Sequence, residues 1–188
     1  DQLQKYIGNE GDVPRIHKMG GRDWAKVVTK AKKSIDDLAD KLVEIYAQRE
    51  ITEGFAFLPD QPWQQEFEDA FPYEETEDQL QATAEIKASM EKPVPMDRLL
   101  AGDVGFGKTE VAMRAIFKAV MSGKQVAVLV PTTVLAQQHF QTFWNRFAPF
   151  GVKVDVLNRF RSTSEKKHVL KGVEDGSIDV LIGTHSLL

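Results

Sequence analysis

The sequence of 188 residues contains no cysteine, which excludes disulfide bonds and metal sites built from thiolates. It contains no apolar run approaching the ~20 residues that a transmembrane helix needs, and no basic and then apolar segment at its start that would indicate a signal peptide. We therefore expect a cytoplasmic protein. It also lacks an excess of positive charge, because its formal net charge is -4, so any site for DNA or RNA must be a local basic patch.

What the sequence does contain is a phosphate-binding pattern near its middle. Residues 102–109 read Gly-x-x-x-x-Gly-Lys-Thr, between an apolar stretch that can be a buried strand and a stretch that can be a helix. The glycines let the backbone turn tightly and direct N–H groups at phosphate oxygens. In this pattern Lys108 reaches the β- and γ-phosphates and Thr109 binds magnesium. The alternative is a glycine-rich turn with an incidental lysine, and the flanking strand and helix favour the phosphate site.

The part of the chain before this loop differs in character. Residues 1–19 are polar and interrupted by glycine and proline, which is typical of the tail of a preceding module. Over residues 20–54, apolar side chains recur at spacings of three and four, which predicts one long amphipathic helix whose apolar stripe packs along another surface. Lysines and aspartates alternate on its other faces, which favours a solvated surface over a DNA-binding one. Since the chain begins with Asp1, we expect a piece of a longer protein.

Aromatic residues mark an irregular connector over residues 55–71, and we expect their rings to anchor it to the following domain. Further on, Thr76 and Gln79 have the spacing of a capping box at the start of a helix that runs to about Met90. On local grounds alone, this pair indicates an ordinary helix cap. Prolines at 93 and 95 end the helix before the phosphate-binding loop.

The rest of the chain alternates between strands and helices. Strands are predicted at residues 96–101, 125–130, 152–157 and 180–183, and helices at residues 110–121, 134–147 and 164–173, the last with Ser164 as its cap. This alternation predicts an α/β fold with a parallel sheet covered by helices on both faces. The nearly continuous apolar run at 125–130 is typical of a strand in the middle of such a sheet.

Polar segments follow three of these strands, at the carboxyl edge of the sheet where ligands bind in such folds. They are residues 131–139, 158–162 and 183–186. Their hydroxyl, amide and guanidinium groups are donors that phosphate backbones accept. Singly, each has a simpler explanation, because a threonine before a helix is usually a cap, an arginine pair in a loop is usually solvated and a single histidine is usually only a polar residue. Their collection on one edge favours a nucleic-acid site.

These segments resemble the opening motifs of superfamily-two DNA helicases and translocases. The loop followed by Thr-Glu, the Pro-Thr-Thr-x-Leu-Ala-x-Gln-His segment and the Gly-Thr-His segment are most similar to those of the bacterial transcription-repair coupling factors and their RecG-like relatives. The Arg-Phe-Arg-Ser segment at 159–162, the long helix and the first six residues resemble the coupling factors specifically. The resemblance covers essentially the whole chain.

The resemblance implies an architecture and a set of sites. It implies the end of an RNA-polymerase-interacting domain at residues 1–19, a linking helix at 20–54 and an incomplete P-loop RecA-like lobe at 55–188. It implies ATP with Mg²⁺ at the loop and adenine at a Q motif, which replaces the plain capping-box interpretation. The implied nucleotide site comprises Phe71, Gln79, Gly102, Asp103, Val104, Gly105, Phe106, Gly107, Lys108, Thr109 and Glu110, with Lys108 and Thr109 catalytic and Thr109 the metal ligand. The implied DNA contacts are Thr133, Gln137, Arg159, Arg161, Thr184 and His185.

The function that the resemblance implies is an ATP-dependent translocase on double-stranded DNA that displaces stalled RNA polymerase and, through parts outside this chain, recruits an excision-repair damage-recognition protein. The expected acidic Asp-Glu motif, the second lobe and its arginine fingers all lie beyond Leu188, so we expect this chain to bind nucleotide without hydrolysing it. Two alternatives stay open. One is a RecG-like branched-DNA helicase, and the other is a non-catalytic connector whose P-loop is only structural.

Overall fold

The structure is a computed structural model that describes residues 21–187, except for the side chains of Arg22, Asp23 and Ser186. The chain divides into two units, of which the first ends at Ile51 and the second is Thr52–Leu188. The predicted tail at residues 1–19 lies outside the described residues.

The described part of the first unit is one helix of 30 residues, α1 (Arg22–Ile51), as the apolar periodicity predicts. Its apolar stripe is exposed along its length, with Trp24 39% and Leu38 57% accessible. The packing of this stripe along another surface stays a prediction. None of the helices in this described range is both long and apolar enough to cross a membrane.

The second unit is an α/β fold built on a three-stranded parallel sheet. Its helices are α2 (Pro62–Asp69), α3 (Glu77–Met90), α4 (Lys108–Met121), α5 (Thr133–Phe147) and α6 (Thr163–Glu174), and its strands are β1 (Val126–Leu129), β2 (Val154–Leu157) and β3 (Val180–Gly183). The strand order is β1-β3-β2, with Leu129 and Leu157 both in register with Gly183. The carboxyl ends of the three strands therefore lie along one edge, as predicted. Short 3-10 helices span Ala148–Phe150 and His185–Leu187.

Two strand predictions are wrong. Residues 96–101, before the phosphate-binding loop, join no sheet within the described range. The strand predicted at residues 125–130 exists as β1, but it lies at an edge of the sheet rather than in its middle, with Leu129 52% exposed. A strand exists only where a neighbouring backbone completes its hydrogen bonds, and apolar composition alone does not supply that neighbour. The central strand is β3, whose four residues are all buried.

The sheet is covered on both faces. Val180 and Ile182 of β3 belong to the larger core, together with the rings of Phe67, Phe117 and Phe147. The intervening Leu181 faces the other way and packs with α6, because side chains alternate along a strand. The Phe67 ring stacks on that of Phe117 with centroids 4.4 Å apart. This contact confirms that the aromatic connector is anchored to the domain.

Helices α3 and α6 each begin with a capping box. At α3, Gln79 N donates to Thr76 Oγ1 at 3.3 Å and Thr76 N donates to Gln79 Oε1 at 3.0 Å, as predicted. At α6 the cap is Ser162 rather than the predicted Ser164. Glu165 stands three residues after Ser162 and accepts from its N–H at 2.7 Å, so the reciprocal pair forms only from Ser162.

A buried lysine on α4 attaches the connector to the core. Lys118 is 2% exposed, and its Nζ donates to Leu58 O at 2.7 Å, Asp60 at 2.8 Å and Glu91 at 2.7 Å. Burial raises the pKa of Asp60, but hydrogen bonds from Lys118 and Lys87 outweigh it and hold that pKa below its usual value. The ion pairs of Asp60 therefore contribute fully to stability above the ordinary aspartate pKa. Their contribution is lost as the pH falls through the lowered pKa of Asp60.

Replacing this lysine tests its contribution. We expect Lys118→Met to lower the free energy of unfolding by about 1–2 kcal/mol, because three acceptors lose their donor while the two carboxylates remain partly hydrated. Urea denaturation at neutral pH measures the change. Lys167→Met, which removes an exposed lysine from α6, is the matched control. Equal stability of the two variants would contradict the assignment.

Candidate nucleotide site and nucleic-acid edge

The predicted phosphate-binding loop is a tight turn that leads directly into α4. Phe106 N donates to Asp103 O, and Gly105 and Gly107 adopt positive φ values of 87° and 71°. Gly107 is the N-cap of α4. The loop therefore brings its backbone to the N-terminus of a helix, where unpaired N–H groups and the helix dipole favour an anion.

Lys108 is held over this loop by its own backbone. Its Nζ donates to Gly102 O and to Asp103 O, both at 2.6 Å. The two carbonyl oxygens accept two of the three hydrogen bonds that the ammonium group can donate, but they do not neutralise its charge. The positive charge is thereby fixed at the mouth of the turn, where a phosphate would meet it.

A cleft of about 380 Å³ opens between the loop and α3. Five of the predicted nucleotide-site residues line it, together with the start of α3 and apolar side chains from the neighbouring elements. The five are Gln79, Gly102, Asp103, Phe106 and Lys108. A polar loop on one side and an apolar wall containing Ala82, Leu100 and Val111 on the other suit a ligand that has both phosphates and a ring.

Gln79 connects the two sides of this cleft. Its Oε1 accepts from Thr76 N, and its Nε2 donates to Phe106 O in the loop at 3.1 Å. The side chain is thus both a helix cap and a cross-link to the phosphate-binding loop. The capping-box interpretation is confirmed, whereas the reading of adenine by Gln79 stays a prediction.

Four predicted residues lie around the cleft without lining it. Gly105 and Gly107 shape the turn, Thr109 is the second residue of α4 and Val104 is exposed at the tip of the loop. Among the residues that the structure describes, no cluster of three or more His, Asp or Glu side chains is arranged to hold a metal ion. The role of the Thr109 hydroxyl as a metal ligand stays a prediction.

Phe71 and Glu110, also predicted for this site, belong to a buried ionic network. Glu110 Oε1 accepts from Arg114 Nε at 3.1 Å and from Arg146 Nη2 at 3.0 Å. Arg114 also donates from Nη2 to Glu75 Oε1 at 2.8 Å, and its guanidinium carbon lies 5.5 Å from the centroid of the Phe71 ring. The carboxylate of Glu110 therefore binds two arginines rather than lining the cleft.

Arg114 and Glu75 each shift the pKa of the other towards the charged form. Burial lowers the pKa of Arg114, but hydrogen bonds to Glu75 and Glu110 outweigh burial and raise it. The hydrogen bond from Arg114 in turn lowers the pKa of Glu75. Arg114 and Glu75 are therefore both ionised at neutral pH.

The predicted DNA contacts lie in the three segments that follow the strands. Thr133 begins α5, while the cap itself is Thr132, whose Oγ1 accepts from Leu135 N at 3.2 Å. Gln137 is exposed one turn later, and Thr184 and His185 follow β3 directly. All of these residues lie at the carboxyl edge of the sheet.

The two predicted arginines at this edge differ in availability. Arg159 is exposed and lies against the exposed Phe160 ring, with its guanidinium carbon 5.4 Å from the centroid. Arg161 pairs with Asp155 at 2.6 Å and with Glu165 at 3.4 Å. Much of the charge of Arg161 is thus compensated within the protein, whereas the guanidinium of Arg159 faces solvent.

Sequence reasoning missed the residues that hold these sites in place. Arg114 and Lys118 are buried on α4. Asn158 was predicted as an exposed donor of the 158–162 segment, but it is buried, and its Oδ1 accepts from Phe160 N at 2.9 Å. A signal for the first two was present, because Glu110, Arg114 and Lys118 recur every four residues on one face of an otherwise apolar helix. The signal for Asn158 was its position just after a buried strand, where asparagine commonly forms a turn.

A glycine loop capping a helix, a lysine over that loop and a parallel sheet with a polar carboxyl edge define a P-loop nucleotide-binding lobe with the RecA-like fold of helicases. A family profile described as "DEAD/DEAH box helicase" matches residues 76–188. The chain belongs to the DEAD/DEAH box helicase family.

The chain is also similar to particular members of this class. It is 54% identical over 188 residues to a transcription-repair-coupling factor of Bacillus subtilis (strain 168) and 55% identical over 188 residues to one of Mycobacterium tuberculosis (strain CDC 1551 / Oshkosh), matches that cover 100% of this chain but 16% and 15% of those proteins. The structure of RecG bound to a three-way DNA junction matches with a TM-score of 0.72 and 38% identity, over 76% of this chain and 20% of that one. The predicted resemblance is confirmed, and the chain spans about a sixth of the length of the coupling factors.

Two glycine substitutions test the cross-link between Gln79 and the loop. Gly105→Ala and Gly107→Ala each place alanine in the left-handed backbone region, which costs about 1–2 kcal/mol of conformational energy. A Cβ added at Gly107 would clash with Gln79 Nε2, whereas nothing lies within 4 Å of a Cβ added at Gly105. We expect Gly107→Ala to reduce the free energy of unfolding by about 1 kcal/mol more than Gly105→Ala, because Gln79 must leave Phe106 O.

Urea denaturation measures both glycine variants. In a Gln79→Ala background the excess cost of Gly107→Ala should disappear, because the obstructing amide is gone. An excess that persists in that background would show that the extra cost arises elsewhere.

Proposed function

We propose that this chain is the nucleotide-binding part of an ATP-dependent motor that moves on double-stranded DNA. The observation that carries the proposal is the cleft in which Lys108, the glycine loop and Gln79 converge. Membership of the DEAD/DEAH box helicase family supports ATP with a divalent metal as the ligand. The donor set fits this ligand, because the backbone at the start of α4 and the Lys108 ammonium match phosphate oxygens, and the Thr109 hydroxyl suits magnesium.

In this proposal each element of the site has a separate role. Lys108 exchanges its two carbonyl partners for phosphate oxygens and neutralises their charge, while the N-terminus of α4 orients them. Gln79 and Phe71 take the base, and Thr109 holds the metal. Bound Mg·ATP supplies the γ-phosphoryl group whose transfer to water drives a motor of this class. We propose that this chain binds the nucleotide without turnover, because transfer of the γ-phosphoryl group also needs a positioned water and an arginine finger.

We further propose that the parent motor displaces stalled RNA polymerase and couples transcription to excision repair. The support is the 50–55% identity to proteins named transcription-repair-coupling factor. The second candidate is a branched-DNA helicase, which is favoured by the similarity to RecG bound to a three-way junction. Co-purification with RNA polymerase, compared with binding to three-way junctions, distinguishes the two candidates.

Substitution of the loop lysine tests the nucleotide site. We expect Lys108→Ala to abolish binding of Mg·ATP in a calorimetric titration, because it removes the ammonium group that lines the cleft beside the loop. Lys92→Ala, at an exposed position after α3, should bind as the wild type does. The wild-type chain should release no phosphate above background, with or without DNA. Binding unaffected by Lys108→Ala would overturn the assignment, and robust DNA-stimulated hydrolysis would overturn the proposal of an incomplete site.

The proposed DNA edge is tested by its salt dependence. Arg159→Ala should weaken binding equally for duplexes of different sequence and reduce the slope of log affinity against log salt by about 0.9, the value for one phosphate contact. Arg161→Ala should change the slope less, because Asp155 and Glu165 already compensate its charge. Lys153→Ala removes an exposed charge from the opposite end of β2 and should leave the slope unchanged. Fluorescence anisotropy at several salt concentrations measures all three, and equal slopes for Arg159→Ala and Lys153→Ala would refute the site.

A further inference from the structure

One buried arginine of the loop helix contacts the segment that precedes α3. Arg114 is 2% exposed, its Nη2 donates to Glu75 Oε1 at 2.8 Å, and its guanidinium carbon is 5.5 Å from the Phe71 ring centroid. Glu75 directly precedes Thr76, the N-cap of α3, and Thr76 lines the nucleotide cleft. The arginine thus contacts both ends of the short segment that leads into the cleft wall.

Arg114 is itself held rigidly. Its Nε donates to Glu110 Oε1, and Arg146 on α5 binds the same carboxylate. The planar guanidinium directs Nε and Nη2 at different partners simultaneously, which an ammonium group on a flexible chain does not reproduce. Arg114 lies six residues after Lys108, roughly 9 Å further along α4. The phosphate-binding loop and the segment before α3 are therefore both fixed to one helix.

We propose that Arg114 is a positioning residue for the base of the nucleotide, because it holds Glu75 and Phe71 against α4 and so sets the start of α3 relative to the phosphate-binding loop. The proposal rests on the function proposed above, in which Phe71 and Gln79 take the adenine of ATP. Beyond that function, the proposal assigns to Arg114 an effect on the binding of the base and none on the binding of the phosphates. Phosphate binding depends on the loop and Lys108, which Arg114 does not contact through any of the bonds described.

This division of roles predicts a selective defect. With Arg114→Lys, affinity for Mg·ATP should fall about tenfold, as expected for loss of one charge-assisted hydrogen bond. Affinity for inorganic tripolyphosphate, which has no base, should stay within about twofold of the wild type, because its contacts are confined to the loop. Isothermal titration calorimetry on the wild type and the variant, with both ligands and Mg²⁺, measures the two effects.

Substitutions at Glu75 test the same contact from a partly exposed position. Glu75→Ala removes the acceptor and should reproduce the selective loss, whereas Glu75→Gln keeps an oxygen at that atom and should retain most of the ATP affinity. Should Arg114→Lys fail to fold, as judged by its thermal transition, the Glu75 pair tests the proposal alone.

The outcomes separate the two proposals. A wild-type chain that binds ATP more tightly than tripolyphosphate, with variants that keep this preference, would overturn the role of Arg114 and leave the nucleotide site intact. A parallel loss of both ligands would also overturn it, because a merely structural arginine affects the whole site. A wild-type chain that binds ATP no better than tripolyphosphate would refute base recognition itself.

Discussion

The second unit depends on a line of buried charges along α4. Glu110, Arg114 and Lys118 stand four residues apart on one side of a helix whose other inward residues are apolar, and each is paired. An unpaired charge in such a position costs several kcal/mol, so the partners must be in place for the helix to pack. Those partners come from the connector, the segment before α3, the end of α3 and α5. The pairing requirement thus orders segments that have little regular structure of their own.

This arrangement explains how an irregular connector contributes to a defined site. Residues 52–61 and 70–76 lie outside regular helices and strands, yet Asp60 and Glu75 are tied to the same helix that carries the phosphate-binding loop. The stacked rings of Phe67 and Phe117 give the connector an apolar anchor between these two ionic contacts. Apolar burial supplies most of the stabilisation, while the directional ion pairs select one geometry.

Local sequence signals predicted the helices and the loop well, and the long-range features poorly. The start of α3 followed from Thr76 and Gln79 and its end from the prolines at 93 and 95, and α4 starts at Lys108, two residues before its predicted start, because such signals depend on residues within about one turn. The strand predicted at residues 96–101 failed because strand formation depends on a partner far away in sequence. The contact of Gln79 with Phe106 O joins residues that are 27 positions apart, and no spacing rule contains that information.

The stretch at residues 96–101 leads into the phosphate-binding loop and joins no sheet in the described range, and Arg98 within it forms an ion pair with Glu85 of α3. Ordering this stretch has a conformational-entropy cost, and that cost reduces the free energy of binding of a nucleotide that needs the loop ordered. A ligand that pairs with this stretch would order it beforehand, so the nucleotide would then bind without that entropic cost. Thermodynamic reciprocity then requires that such pairing strengthen nucleotide binding by the same factor by which the nucleotide strengthens the pairing. The loop and the backbone that precedes it would therefore behave as two ligand sites coupled through one ordering equilibrium.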